Sequence, residues 1–473
     1  MNKYLLNIFY KNKIIVFFLL SVLSTFNAPF LFLQNFKDLN LYKIILIYQY
    51  VLPVIIFLIL IFYISKLNYL KNFIFSKEYF ILKFLFFLNF IQIFGIFFSN
   101  LKYFTPIDER TSQALTEISL DWKSTYTRII FIINNFNIIL IGFFCQIQKK
   151  LKFNLTFLIG FFLILSFYYC YKIFYEYFSN IDEIINFYAS SVLHLGTTTL
   201  NFINPRPTGL ARILLLISIF LMMIYLFYKP KYTIEKKILR YVAVLLIIIL
   251  NFFVIQLQSR TSSYFLFLIP IFFIFFYFYK QPKTFFILIL LIAIPFLLAQ
   301  FATDYKLNLL KKRMTTEKLF TDQQIQSIIQ NYNRDANRLS QATTSGRITV
   351  WKNVVNSYKK IPIIGYGVLG DKFAYSVSVS NIFLYFLITG GIVGLLAILL
   401  FNVYILKNIF YLLTSKKLFT SNSAFLYISF FFVCFFLFRS IFENSYGQFG
   451  IDFIFFVPSY LIFESYLKKF RII

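Results

Sequence analysis

Apolar runs long enough to cross a lipid bilayer recur from one end of this chain to the other, and they leave few folds open. Hydrocarbon offers no water to pair backbone N–H and C=O groups, so a span must be a closed-barrel strand or a helix of about 20 mostly apolar residues. Twelve stretches have the helical length: near 14–33, 41–64, 80–98, 129–147, 153–175, 210–228, 238–258, 263–279, 284–302, 380–406, 423–442 and 449–467. The expected fold class is all-α, a polytopic integral membrane protein of about 12 transmembrane helices. The first run lacks a small-residue cleavage site and leads into further spans, so it reads as a span and not as a cleaved signal.

Orientation follows from the lysines, because short loops rich in Lys and Arg stay on the cytoplasmic side. Every second loop is lysine-rich, from Lys3, Lys11 and Lys13 through Lys149, Lys150 and Lys152 to Lys468 and Lys469. Both termini are therefore expected in the cytoplasm. The formal charge of +28 reads as topology and anionic-lipid contact, and no nucleic-acid partner is expected. Cys145, Cys170 and Cys434 fall far apart inside predicted spans and are expected to be small apolar residues, with no disulfide or metal site.

Arginine is distributed differently from lysine. Of the twelve arginines, Arg240 and Arg471 belong to the cytoplasmic face, and the other ten lie in external loops or at external span ends. In the loop 99–128 the cations face Asp108, Glu109, Glu117 and Asp121, and the charges cancel. The loop 303–379 carries twelve cations against five carboxylates, a net +7 on the external side. A planar guanidinium holds phosphate in bidentate fashion where lysine offers a point charge, so an external arginine cluster beside a bilayer points to a phosphorylated lipid ligand.

That loop is expected to be ordered. Thr321 and Gln324 form a capping box ahead of Ile325, Ile328, Ile329 and Tyr332 at helical spacing. A second helix opens at Ser345-Gly346, with Arg347 in its first turn, and ends before Pro362. Arg347 thus adds its charge to a helix N-terminus, where free N–H groups already favour an anion; a solvated first-turn residue would have the same spacing. A glycine turn, Pro362-Ile363-Ile364-Gly365-Tyr366-Gly367, leads to Ser380-Asn381 at the mouth of the tenth span. Gly390, Gly391 and Gly394 within that span would let a helix or a lipid chain approach closely.

The order Ser345-Gly346-Arg347 with Trp351, then Pro362 with Gly365 and Gly367, then Ser380-Asn381, then Ile388 to Leu396 with its glycines, resembles the O-antigen ligase and polymerase superfamily. Twelve spans with a large periplasmic loop between the ninth and tenth also resemble it. The expected organisation is 1–302 as the first nine spans, 303–379 as the periplasmic loop and 380–473 as the last three spans. The resemblance implies an enzyme of the bacterial inner membrane that takes glycans from a polyprenyl-diphosphate carrier on the periplasmic face, without metal or cofactor. Its partners would be an undecaprenyl-diphosphate-linked oligosaccharide donor and acceptor, membrane lipids and a chain-length regulator.

Carried over by residue, Arg347 matches the arginine the family places near the diphosphate, and Arg260, in Gln258-Ser259-Arg260-Thr261, its membrane-edge arginine. Glu443, four residues after Arg439 at an external span end, joins them as a catalytic candidate; a structural ion pair reads equally well. Substrate-binding candidates are Arg206, Arg338, Arg439, Ser380, Asn381, Gly365 and Gly367. Ligases of this superfamily typically carry His-Asn where this chain has Ser380-Asn381, and serine has no useful basicity near neutral pH. The one histidine, His194, lies elsewhere in the chain and reads as structural. The departure favours a polymerase, in which the acceptor is another lipid-linked repeat unit, over a ligase acting on lipid A-core. A lipid-linked oligosaccharide flippase is a further alternative, disfavoured by the few charges inside the spans and the lack of an internal repeat.

Overall fold

The computed structural model describes residues 39–66, 79–99, 122–147, 152, 156–161, 163–164, 166–168, 170–171, 207–227, 233–257, 259–277, 282–317, 321–336, 347–375, 379–415, 423–447 and 450–470. In chain order its helices are α1 (Leu39–Lys66), α2 (Phe80–Phe98), α3 (Trp122–Ile147), α4 (Pro207–Phe227), α5 (Thr233–Gln256), α6 (Arg260–Tyr277), α7 (Pro282–Glu317), α8 (Asp322–Ala336), α9 (Arg347–Asn356), α10 (Gly370–Tyr375), α11 (Ile382–Thr414), α12 (Ala424–Ser440) and α13 (Ile451–Lys469). Among the described residues there is no strand, and the chain is an all-α, multi-pass membrane protein. Five of these helices are long and apolar enough to cross a bilayer by themselves, those over 80–98, 125–147, 209–227, 286–315 and 382–414, with several shorter apolar helices beside them. The predicted run 14–33 lies outside the described residues, and 153–175 lies partly outside them.

The helices divide into two compact units. One unit holds α1 to α3, α9 to α11, α13 and most of α12. Polar side chains tie its spans together: Asn135 Nδ2 donates to Asn89 Oδ1, Asn137 Nδ2 to the Pro53 carbonyl at 2.9 Å, and Asn408 Nδ2 to Tyr460 Oη at 3.1 Å. In an apolar surrounding such bonds act as interhelical glue where carbon contacts alone give little discrimination. Aromatic packing fills the rest, with Phe84 stacked on Phe401 and Tyr446 on Phe456.

The other unit holds α4 to α8 and the first residues of α12. Here Asn251 is the hub, accepting from Ser218 Oγ at 2.6 Å and donating to the Leu291 carbonyl at 2.9 Å, so that α4, α5 and α7 share one buried polar contact. Helix α7 continues to Glu317, well past the predicted span end at 302. The reason is local: Lys306 to Met314 is rich in Leu, Lys and Arg, all good helix formers, and contains no glycine or proline. The capping box predicted at Thr321 forms in both directions, Gln324 N to Thr321 Oγ1 and Thr321 N to Gln324 Oε1 at 3.0 Å.

Helix α11 is broken inside its span. Gly391 adopts φ 63° and ψ −158°, outside the helical region and open at low cost only to glycine. A continuous helix would pair the carbonyls of Ile388 and Thr389 with the N–H groups of Ile392 and Val393. Instead Tyr366 N donates to Ile388 O and Gly367 N to Thr389 O, both at 2.8 Å, while Val393 N turns to Ile363 O. The segment 362–367 thus supplies the partners that the break removes. It docks about nine residues, or roughly 14 Å at 1.5 Å per residue, into α11. Irregular backbone at that depth is tolerated only where protein satisfies it.

Candidate active site

Three segments of one compact unit meet at the N-terminal end of α11. The first is the start of α9, which opens on Arg347. Val354 lies in the core with Tyr366, Ala374, Tyr375, Val379 and Ile388, and Val350 and Trp351 pack against it, so that α9 is held at its C-terminal half and presents its first residue at one end. The second is Asn381, the N-cap of α11, whose Oδ1 accepts from Phe383 N at 2.9 Å and Leu384 N at 3.0 Å. The third is the turn 441–447 between α12 and α13, which carries Glu443. Asn381 joins the second and third segments, because its Nδ2 donates to the Ile441 carbonyl at 2.8 Å.

Across this junction Arg347 Nη2 meets Glu443 Oε1 at 2.8 Å, with side chains 34% and 28% exposed. Beneath them Arg439 Nε meets Asp452 Oδ2 at 2.7 Å with 6% and 3% exposure, and Arg439 Nη2 comes to 3.9 Å from Glu443 Oε2. The four charges form a chain running from the interior to the surface: Asp452, Arg439, Glu443, Arg347. The turn that carries Glu443 is tight enough to place Ser445 at φ 44°, and Ser445 Oγ is anchored to the Phe436 carbonyl. A half-exposed guanidinium at a helix start, held by a carboxylate that a second guanidinium also approaches, can exchange that carboxylate for an incoming anion.

The sequence-predicted residues distribute as follows. Arg347, Glu443, Arg439 and Asn381 come together, and Ser380 sits half-buried next to Asn381. Gly365 and Gly367 belong to the segment docked on α11 and α2. A Cβ on Gly365 would land on the Gly390 and Gly391 nitrogens, and one on Gly367 would meet the Gln92 carbonyl at 2.7 Å. Arg260 opens α6 in the other compact unit. Arg206 and Arg338 lie outside the described residues, as does His194.

Sequence reasoning missed three charged residues. Arg128, expected to face acidic loop residues, is 3% exposed and donates from Nε to the Val368 carbonyl at 2.9 Å and from Nη2 to the Tyr366 carbonyl, pinning the docked segment. Asp371 is buried in α10, its Oδ2 accepting from Val379 N at 2.9 Å while Oδ1 has no hydrogen-bond partner. Burial pushes its carboxyl above the ordinary aspartate range, against the pull of the Val379 N–H and the Lys372 charge. Asp452 carried a readable signal, an acid inside a predicted span, which is costly there and asks for a partner.

Residues 243–399 match the family described as O-Antigen ligase. That stretch runs from within α5 to within α11, so it contains Arg260, Arg347 and the docked glycine segment and stops short of Arg439, Glu443 and Asp452. No curated protein and no solved structure matches the chain. With multi-pass α-helical architecture on both sides of the matched stretch, the match supports a place for this chain in the O-antigen ligase and polymerase superfamily.

Proposed function

We propose that the protein is a polymerase that joins polyprenyl-diphosphate-linked oligosaccharide repeat units on the periplasmic face of the inner membrane, by glycosyl transfer without a metal. The family match supports a polysaccharide ligase or polymerase-type function acting on lipid-linked glycans. The observation that carries the finer reading is the pairing of Arg347, at a helix N-terminus and a third exposed, with Glu443. In the proposed reaction an acceptor hydroxyl attacks the donor's anomeric carbon. The bond from that carbon to the diphosphate oxygen breaks, and the polyprenyl diphosphate leaves with the electron pair.

Arg347 turns from Glu443 to the diphosphate and takes up its developing charge; preorganised stabilisation of this kind usually lowers the barrier of such a step more than any other effect. Glu443, released from that pair, receives the hydroxyl proton. Arg439 stays locked on Asp452 and sets the position of Glu443, while Arg260 and Arg206 are proposed as further phosphate partners. The second reading, a ligase transferring finished glycan to lipid A-core, is favoured by the description of the matched family. Ser380 in place of histidine weighs against it.

A gel of surface glycolipid from the source cell with the gene deleted, beside mass spectrometry of the carrier-linked intermediates, tests the reading. A polymerase predicts collapse of the ladder to a single repeat on the lipid core; a bare core with long polymer stranded on the carrier means a ligase. Complementation with Arg347→Ala is expected to leave transfer down by about 10²–10³-fold, as for loss of one charge-stabilising group. Full ladders from both Arg347→Ala and Glu443→Gln would remove the mechanism.

A further inference from the structure

One exposed flank of α9 has a pattern that its inward face does not explain. Val350, Trp351 and Val354 pack toward the core formed with α11. On the flank beside Trp351, Ile348, Lys352 and Val355 share one stripe at i, i+4 and i+7, and all three are exposed, Ile348 by 43% and Val355 by 53%, while the polar Thr349, Asn353 and Asn356 are exposed on the side away from the core. The stripe continues into the short turn Tyr358–Lys360, where Tyr358, Lys359 and Lys360 are again exposed. Aliphatic side chains alternating with lysines suit neither water nor hydrocarbon alone. They suit the boundary between the two, where the aliphatic groups enter the acyl region and the lysine stems carry their charges up to the phosphates.

The position of α9 agrees. Its inner side rests on Leu384, Leu387 and Ile388, the first two turns of a helix that crosses the bilayer, so it lies at the N-terminal rim of that span. No acidic residue occurs between Arg347 and Lys360 to oppose the lysines. We propose that α9 and the Tyr358–Lys360 turn dock onto the outer leaflet at the level of its anionic phospholipid headgroups. Ile348 and Val355 enter the leaflet while Lys352, Lys359 and Lys360 hold lipid phosphates. The docking fixes the helix whose first residue is Arg347. The inference rests on the membrane-spanning architecture and is independent of the proposed glycosyl transfer.

The chain has two tryptophans, and Trp351 lies on α9 itself, so Trp122→Phe leaves one reporter on the helix. The full-length variant is reconstituted without substrate into vesicles of phosphatidylcholine and phosphatidylglycerol, with bromine placed on the acyl chains of one lipid or the other at constant composition. Brominated phosphatidylglycerol is expected to quench Trp351 more strongly than brominated phosphatidylcholine. That excess should vanish in Lys352→Gln/Lys359→Gln/Lys360→Gln, a change of exposed side chains whose folding is checked by gel filtration. In Ile348→Ser/Val355→Ser quenching by both lipids should fall. Equal quenching by the two lipids, or an excess that survives the triple substitution, overturns the proposal. So does protection from both brominated lipids with ready quenching by aqueous iodide, the outcome expected if a soluble partner or nothing covers this face. Because no turnover is read, failure here leaves the polymerase reading standing, and failure of that reading leaves this one.

Discussion

At Arg439 the guanidinium is 6% exposed and its partner Asp452 3%, whereas Arg347 and Glu443 are 34% and 28% exposed. Burial decides what each pair contributes. Removing one member of a buried pair leaves an uncompensated charge and costs about 3–5 kcal/mol, while a pair as open as Arg347–Glu443 is worth about 1 kcal/mol or less after solvent screening. Asp452→Asn is therefore expected to lower the melting temperature of the detergent-solubilised protein markedly, and Glu443→Gln to leave it within a degree or two of the parent while abolishing transfer. Equal melting shifts from the two substitutions would mean that burial does not separate their roles. Asp371 gives a pH signature of its own. Its folded-state carboxyl holds a proton more tightly than the unfolded chain does, so its contribution to stability is complete below the ordinary aspartate value and is lost as pH rises through the raised one. A melting series on the same protein should fall across that window and be flatter for Asp371→Asn, whose amide oxygen can still accept from Val379 N. An unchanged slope in the Asn variant would show that Asp371 does not set it.

At the scale of elements, the break in α11 and the segment that fills it stand or fall together. Gly391→Ala would force a residue with a Cβ into a backbone region that is essentially open only to glycine, at about 1–3 kcal/mol, and would also drive that Cβ into the Ile363 carbonyl. The expected result is a lower melting temperature together with faster proteolysis within 361–369, as the segment leaves its seat. Gly160→Ala is the control, since a Cβ there meets nothing within 4 Å; comparable damage from both would refute the docking account. The sequence marks this region with a glycine turn, Gly365 and Gly367, and with Gly390, Gly391 and Gly394 in the span, small residues that predict close approach by a helix or a lipid chain. The occupant is instead the chain's own backbone, which composition does not identify because the hydrogen bonds involved use no side chain. Many of the described span ends are legible to within a few residues because the hydrocarbon imposes length and polarity together, whereas α7 ends at Glu317 and not at 302, and α11 at Thr414 and not at 406. Local turn chemistry puts Arg347 at the start of its helix, as observed, whereas Asn381, a ligand candidate by sequence, has its side chain occupied in capping α11 and holding Ile441. The contact of Arg347 with Glu443 joins residues 96 positions apart, and nothing in local spacing encodes such a pair.

For the molecule as a whole, the sorting of cations and the proposed chemistry make one joint claim. We propose from the lysines in alternate loops that both termini lie in the cytoplasm, an orientation that would put α8, α9 and the turn 441–447 outside. If the orientation were reversed, Arg347 and Glu443 would face the cytoplasm, on the wrong side for the periplasmic transfer proposed here. The lysine clusters weigh against reversal: Lys149, Lys150 and Lys152 in one short loop and Lys416 and Lys417 in another would each have to be moved across the membrane. Reporter fusions read this directly. Alkaline phosphatase joined after residue 336 is expected to be active, and green fluorescent protein joined after residue 150 or 415 to fluoresce. Phosphatase activity at 150 and 415 with none at 336 would invert the protein and remove the periplasmic polymerase with it. The expected pattern would leave Arg347 on the face where a bilayer-borne diphosphate is presented, and the ladder experiment would then decide which acceptor it serves.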